Sequence, residues 1–238
     1  MSRAWRRTLV SAALAAVVQL APTLADAQDL PGPAGDDAQE AIEVRAAPAP
    51  RQPIGLRAFA GFEVNRMAAS QSFRAVVGTS DLTGFGAGAE VLRIWNSAFA
   101  RVGFSMVRAD GTRVVVFDDE ASPVGVDTSI RMLPLEVAGG WRFGRRGRLV
   151  PYGGGGIVRL SYEETTEFDR ATDDTAETFI GSLLFGGVDV QLAGPLGFGV
   201  ELQHRRLADA LGAGGASAAF DENDLGGLTF RIWIGIGR

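Results

Sequence analysis

The middle of the chain carries two long runs in which apolar and polar positions alternate, joined by the basic turn Gly144-Arg145-Arg146-Gly147. A period of two residues predicts β-strands, because successive side chains of a strand point to opposite faces. Both runs exceed the roughly five or six residues of an ordinary strand and match the ~9–11 residues with which a tilted strand crosses a bilayer. One face is apolar and the other holds Gly, Glu and Arg, which is typical of the wall of a membrane barrel.

The alternation assigns a face to each residue of these two runs. Glu136 of the first run and Arg159 of the second fall on the faces predicted to line the barrel interior. The predicted outward faces are Leu133, Leu135, Val137, Gly139, Trp141 and Phe143 in the first run, and Val150, Tyr152, Gly154, Gly156, Val158, Leu160 and Tyr162 in the second.

Six further stretches alternate in the same way, which predicts eight strands in all. Long connections at 67–81, 109–128, 163–176 and 208–226 alternate with short ones at 96–97, 144–147 and 193–195. An even strand number with short turns on one side and long loops on the other indicates an up-and-down, antiparallel transmembrane β-barrel, closed because lipid cannot satisfy a free sheet edge. Within the second long connection, Arg113–Phe117 is predicted to continue strand pairing. The six stretches are 54–66, 82–95, 98–108, 177–192, 196–207 and 227–238.

The residues before the first strand predict two further segments. Residues 1–27 have the charged start, short apolar stretch and small-x-small cleavage site of a cleaved secretory signal peptide. Residues 28–53 are rich in Ala, Pro and Asp without apolar periodicity, which predicts a disordered lead-in. The barrel is therefore expected to occupy residues 54–238.

The amino-acid composition excludes several kinds of functional site. The chain has no Cys, which excludes disulfides and thiolate sites, and its net charge of -5 argues against a nucleic-acid partner. All its basic residues are Arg apart from His204. No metal-ligand set, phosphate-binding loop or nucleophile elbow is present, so no cofactor or metal is expected. The acidic third connection contains no Asp-x-Asp-x-Asp-Gly calcium loop, and we interpret it as a solvated loop.

Segments such as Leu133-Pro134-Leu135-Glu136-Val137 and Pro151-Tyr152-Gly153-Gly154-Gly155-Gly156, together with the strand pattern, resemble the small eight-stranded outer-membrane β-barrels, of which OmpA- and OmpW-like domains are members. The resemblance implies a monomer in the cell outer membrane, with outer-membrane lipids, lipopolysaccharide and the barrel-assembly machinery as partners. Such barrels usually end in an aromatic residue, whereas this chain ends Ile236-Gly237-Arg238.

Alternation places ten charged residues inside the predicted barrel. An eight-stranded barrel is just wide enough for side chains to fill, so opposite charges should pair into a plug that holds the barrel shut. The alternative is a narrow polar pore whose salt bridges exchange partners, with water beside the interior glycines Gly84, Gly86, Gly88, Gly153 and Gly155. The ten residues are Arg57, Glu63, Glu90, Arg101, Glu136, Arg142, Arg159, Glu201, Arg205 and Arg231.

A catalytic interpretation centres on His204, the single histidine, three residues after Glu201. Outer-membrane lipid A deacylases pair a His-x-Ser arrangement with a Glu, but Arg205 and Arg206 follow here and no Ser stands at that spacing. Alternation also sends His204 outward and Glu201 inward. We therefore expect a non-enzymatic barrel with a structural or surface-interaction role, with a narrow solute channel as the alternative and a lipid-modifying enzyme as the third. A soluble lipocalin-like barrel, with its apolar faces turned inward around a ligand, is the alternative fold.

Overall fold

The computed structural model describes residues 53–117, 120–144, 148–168, 171–211 and 215–237. The predicted signal peptide, and the predicted lead-in apart from Pro53, lie outside the described residues. No described helix is long and apolar enough to cross a membrane.

Eight antiparallel strands pair in sequence order and close on themselves, which confirms the predicted up-and-down barrel. Two short helices, α1 (Ser70–Val77) and α2 (Gly215–Ala219), stand in the first and fourth long connections. The strands are β1 (Gly55–Met67), β2 (Asp81–Leu92), β3 (Ala98–Phe117), β4 (Glu120–Arg142), β5 (Leu149–Phe168), β6 (Ala171–Gln191), β7 (Leu196–Arg206) and β8 (Gly227–Gly237).

We call the end with the short connections 93–97, 143–148 and 192–195 the turn end, and the opposite end the loop end. The first of these turns is longer than the predicted pair 96–97. Arg93 (φ 59°) and Asn96 (φ 62°) both take the left-handed conformation, so β2 ends at Leu92.

The pairing register sets the tilt of the strands. Followed from Arg57 across all eight strand pairs, it returns to β1 at Met67, ten residues nearer the loop end. Such a displacement over eight strands corresponds to a tilt of about 40°. Each pair that is crossed therefore raises the partner residue toward the loop end by about 1.25 residues.

The outer face of the barrel is an apolar band. Large exposed side chains run from Leu149 and Leu196 near the turn end to Met106 and Leu135 near the loop end. This band is about 25 Å tall, the height of the lipid-facing band of outer-membrane barrels. The apolar faces therefore point outward, contrary to the lipocalin-like alternative.

The predicted orientation of β5 is wrong, whereas the predicted outward faces of the other strands are confirmed. Residues paired across a ladder share a face, and Val158 pairs with the interior residue Glu136. Tyr152, Val158 and Leu160 are accordingly buried inside, while Gly153, Gly155 and Arg159 lie on the outward face. The alternation alone could not decide this, because both faces of β5 are largely apolar or glycine.

The second and third long connections are strands rather than loops. Arg113–Phe117 continues β3 as predicted and pairs with residues 120–126 of β4, with a register shift between Arg113 and Val114. The predicted acidic loop 163–176 instead forms the ends of β5 and β6, paired as far as Phe168 and Ala171.

Candidate functional site

The interior is the candidate site, and its first layer is a charged cluster at the turn end. Arg57 contacts Glu90 through both Nε (3.1 Å) and Nη2, and its Nη1 donates to Asp189 at 2.5 Å. Arg142 forms ion pairs with Asp189 and with Glu90, the latter at 3.6 Å. Two positive and two negative side chains thus balance. We call these four residues the turn-end cluster.

A cavity of about 550 Å³ opens at the turn end of the barrel. Arg57, Arg142 and Asp189 line it together with residues of the short turns. The turn-end cluster therefore forms part of the wall of this cavity.

An aromatic layer, made of Phe59, Phe99, Tyr152, Phe185 and Trp233, lies above the turn-end cluster. The indole Nε1 of Trp233 donates a hydrogen bond to the Tyr152 hydroxyl at 3.2 Å. The guanidinium of Arg57 lies 4.4 Å from the Trp233 ring centre, and that of Arg101 lies 3.8 Å from the Phe185 ring centre. The layer therefore packs against charges on both sides through cation–π contacts.

Gly199 leaves room for the largest ring of this layer. A Cβ at this position would lie 2.2 Å from the Trp233 ring. A residue without a side chain is thus required where the indole meets β7.

Three arginines and three glutamates form the middle of the interior, and we call them the central network. Arg101 makes a two-pronged contact with Glu201 at 2.5 and 3.1 Å. Arg231 donates to Glu63 at 2.8 and 3.0 Å and to Glu136 at 3.2 and 3.3 Å, and Arg205 donates to Glu136 at 2.6 Å. All six side chains are buried, and their formal charges cancel. The central network comprises Glu63, Arg101, Glu136, Glu201, Arg205 and Arg231.

Uncharged polar residues extend the central network toward the loop end. Asn65 accepts hydrogen bonds from Arg205 (3.1 Å) and from the Thr229 hydroxyl (2.7 Å), and the Gln203 amide donates to Glu201 at 2.7 Å. Buried charge pairs are stable only when their remaining donors and acceptors also find partners. Asn65, Thr229 and Gln203 supply some of these hydrogen-bond partners.

An apolar cap closes the interior at the loop end. Phe73 and Val77 of α1 pack into it, and a Cβ on Gly111 of β3 would lie 2.4 Å from the Cα of Val77, so helix and strand are in close contact. A void of about 20 Å³, room for about one water, borders both the central network and this cap. The cap consists of Met67, Ala69, Phe73, Val77, Leu82, Val107, Ile130, Met132, Val158, Leu160, Tyr162, Leu207, Ala210 and Leu225.

Glu222 of the fourth connection holds α1 in place. The N-cap position of α1, Ala69, makes no side-chain capping bond, and the Glu222 carboxylate accepts hydrogen bonds from the amides of Gln71 (3.1 Å) and Ser72 (2.8 Å) instead. The Ser72 hydroxyl also donates to it at 2.8 Å. Partial burial acts to raise the pKa of Glu222, but these hydrogen bonds outweigh it and lower this pKa below its usual value.

We expect Glu222→Ala to release α1. Loss of an N-cap costs about 1 kcal/mol, so amide hydrogen exchange at the start of α1 should accelerate about fivefold, as measured by mass spectrometry. Because the folded-state pKa is lowered, the carboxylate stabilises α1 above its unfolded pKa, and this contribution is lost as the pH falls through the folded pKa. The difference between variant and wild type should therefore vanish in acid. Glu177→Ala, a change at an exposed acidic residue of β6, should leave α1 unchanged. Equal exchange in Glu222→Ala and wild type would contradict the capping role.

Nine of the ten predicted interior charges lie inside the barrel. Arg159 is the exception, because its ladder partners Leu135 and Ile180 are themselves exposed on the outer face. Asp189 was missed, although it sits between the outward residues Val188 and Val190 and alternation alone could have found it. The nine are Arg57, Glu63, Glu90, Arg101, Glu136, Arg142, Glu201, Arg205 and Arg231.

The catalytic pairing is not formed. His204 is exposed on the outer face of β7, and Glu201 is buried in the central network, as the alternation predicts. Among the described residues, no cluster of three His, Cys, Asp or Glu side chains could hold a metal ion.

The fold has counterparts among solved structures. A major outer membrane protein from Thermus thermophilus aligns with a TM-score of 0.54 at 8% identity, over 79% of this chain and 100% of that one. The outer membrane protein OprG from Pseudomonas aeruginosa aligns with a TM-score of 0.50 at 13% identity, over 77% and 95%. The attachment invasion locus protein Ail of Yersinia pestis gives 0.49 at 10% identity, over 79% and 100%. Neither a protein-family model nor a curated protein matches the sequence.

Proposed function

We propose that this chain, which has the fold of the small eight-stranded outer-membrane β-barrels, is a closed, non-enzymatic barrel of the outer membrane with a structural or surface-interaction role. The observation that carries this proposal is the filling of the interior. Its layers lie in series between the turn end and the loop end: the turn-end cluster, the aromatic layer, the central network and the apolar cap.

The filled interior argues against a solute channel. A pore would need the central network to exchange partners, yet each of its charges is buried and contacts an opposite charge. Removing one member of such a buried pair costs about 3–5 kcal/mol, so rearrangement that breaks several pairs together is unfavourable. We infer that the ion pairs hold the barrel shut.

The strand extensions support a surface role. The ends of β3 with β4 and of β5 with β6 continue about nine residues beyond the apolar band, which raises them about 20–25 Å above it. Surface hairpins of this length offer strand edges to a partner outside the membrane. They would stand on the extracellular side, with the turn end in the periplasm.

Outer-membrane lipids and lipopolysaccharide are the proposed partners in the membrane, and the barrel-assembly machinery is the proposed partner during insertion. Neighbouring strands satisfy one another all round the closed barrel, so no strand edge within the apolar band requires a second copy. We therefore propose a monomer.

The test combines cell fractionation, electrophoresis and conductance. We expect the protein in the outer-membrane fraction, with a mobility in detergent gels that shifts on boiling because the closed barrel resists detergent until heated. Reconstituted into planar bilayers, it should show no stepwise conductance. An open porin that is purified and reconstituted in the same way serves as the positive control.

Two outcomes would contradict the proposal in different ways. A soluble periplasmic protein without a heat shift would refute the membrane location. A heat-modifiable protein that conducts ions in regular steps would keep the location and establish the narrow channel instead.

A further inference from the structure

The outer face carries an arginine at the loop-end edge of the apolar band on five of the eight strands. Arg66 on β1 follows the outward residue Val64, Arg108 on β3 follows Met106, and Arg159 on β5 follows Ile157. On β4 the arginine lies one outward position beyond Leu133, and on β7 it follows the exposed His204. We call Arg66, Arg108, Arg131, Arg159 and Arg206 the arginine girdle.

The strand tilt brings these five residues to one level. Their heights along the barrel axis follow from the pairing register together with the rise of about 1.25 residues at each strand pair. Compared in this way, the five Cα positions fall within about 7 Å of one another along the axis. The acidic residue Asp110 lies one outward position beyond Arg108 on β3, and Glu163 lies two outward positions beyond Arg159 on β5. The girdle therefore stands at the height where lipid chains end and head groups begin.

The girdle is positive beyond what its own acidic neighbours offset. Arg108 and Arg131 face each other directly across the β3–β4 ladder, a placement that like charges disfavour without a counter-ion. Their ion pairs, with Asp110 at 3.3 Å and Glu163 at 3.6 Å, are exposed to solvent and therefore weak. Within the described part of the chain, Arg66, Arg159 and Arg206 have no carboxylate within 4.0 Å.

We propose that the arginine girdle binds the phosphate groups of a bisphosphorylated glycolipid, lipid A, in the outer leaflet. This inference rests on the proposed function, which puts the loop end at that leaflet. A guanidinium binds phosphate with two parallel hydrogen bonds, which suits it to this ligand better than a lysine ammonium. A head group with two phosphates can engage two girdle arginines at once, and the second contact is then intramolecular.

Arg159 and Arg206 make the sharpest test, since both are exposed and neither has an acidic partner among the described residues. Ser182 of the intervening strand pairs with Arg206, and Ile180 pairs with Arg159, so no charge separates them. The test variant is R159Q/R206Q. The matched control is R74Q/R148Q, which makes the same change of charge on exposed arginines of α1 and of the turn end.

The measurement is native mass spectrometry of the detergent-solubilised barrel, titrated with bisphosphorylated lipid A, dephosphorylated lipid A or phosphatidylglycerol. Each arginine near an anionic lipid surface contributes about a fivefold factor, so R159Q/R206Q should bind bisphosphorylated lipid A about twenty-five-fold more weakly. The control should stay within about twofold of wild type, because Arg148 lies at the turn end and Arg74 stands on α1 rather than on a strand at the level of the girdle. R159K/R206K, which keeps the charge, should recover most of the affinity.

Equal binding by R159Q/R206Q and wild type, or equal losses in R159Q/R206Q and R74Q/R148Q, would contradict the proposal that the girdle binds lipid A. If the wild type binds dephosphorylated lipid A as tightly as the bisphosphorylated form, the phosphate groups are not the ligand and the proposal fails. If it binds phosphatidylglycerol equally tightly, the girdle is not specific for the glycolipid, and lipid A is not its preferred ligand. The heat shift of each sample in detergent gels reports folding separately. A wild-type protein without that shift contradicts the proposed function. A heat-modifiable barrel that does not bind lipid A contradicts only the proposal that the girdle binds it.

Discussion

Arg231→Met should destabilise the barrel by about 3–5 kcal/mol, because it leaves a buried negative charge without its partner. Arg231 is buried and contacts both Glu63 and Glu136, with Glu201 at 3.6 Å. Methionine keeps much of the side-chain length, so the lost charge rather than an empty space dominates the effect. Equilibrium unfolding in urea, followed by tryptophan fluorescence in detergent or lipid, measures the change.

Arg131→Met is the matched control, because it breaks an ion pair of which both members are about half exposed, Arg131 at 51% and Glu163 at 49%. Exposed pairs contribute less than about 1 kcal/mol. In addition, R231M/E63Q restores electrical neutrality to the central network and should recover a large part of the stability lost in R231M. If R231M costs no more than R131M, the central network is not the electrostatic unit that we describe.

Trp233→Ala should cost about 3–5 kcal/mol, since it opens a cavity in the aromatic layer. The indole is buried, donates to Tyr152 and lies 6.1 Å from the ring centre of Phe59. The same unfolding experiment measures this loss. Conductance should stay absent, because the central network and the apolar cap still lie across the interior.

Trp141→Ala provides the control, as Trp141 is 40% exposed on the outer face. Its loss should cost less than about 2 kcal/mol, because lipid or detergent fills the vacated space.

A double-mutant cycle with Gly199→Ala sharpens the test. The added methyl collides with the indole in the wild type and should destabilise it, whereas in W233A it should cost little. Residues in contact couple in this way, by about 0.5–3 kcal/mol. Strictly additive effects would mean that Gly199 and Trp233 do not share the space that the structure assigns to them.

For the interior of the barrel, the sequence predicts which residues face inward but not which of them contact one another. Alternation placed Glu63, Glu136 and Arg231 inside, because a lipid-facing charge is too costly to tolerate in the apolar band. It could not say that Arg231 would contact both glutamates, because Glu63 becomes its neighbour only where β8 closes the barrel against β1, and Glu136 of β4 lies across the lumen. The aromatic layer as a unit was also not predicted, because its five rings come from five different strands and meet only in the closed barrel.

The amino-acid sequence by itself determined the strand number, the closed antiparallel order and the outward faces of the strands other than β5, because strands in lipid must alternate and must leave no free edge. The tertiary structure decided which way β5 faces, since only its register with Glu136 turns Val158 inward and Arg159 outward. It also decided that Glu222 caps α1, a contact between residues 150 positions apart. Five separate arginines become one girdle only through the tilt of the closed barrel, because a level shared by distant strands depends on register and not on local pattern.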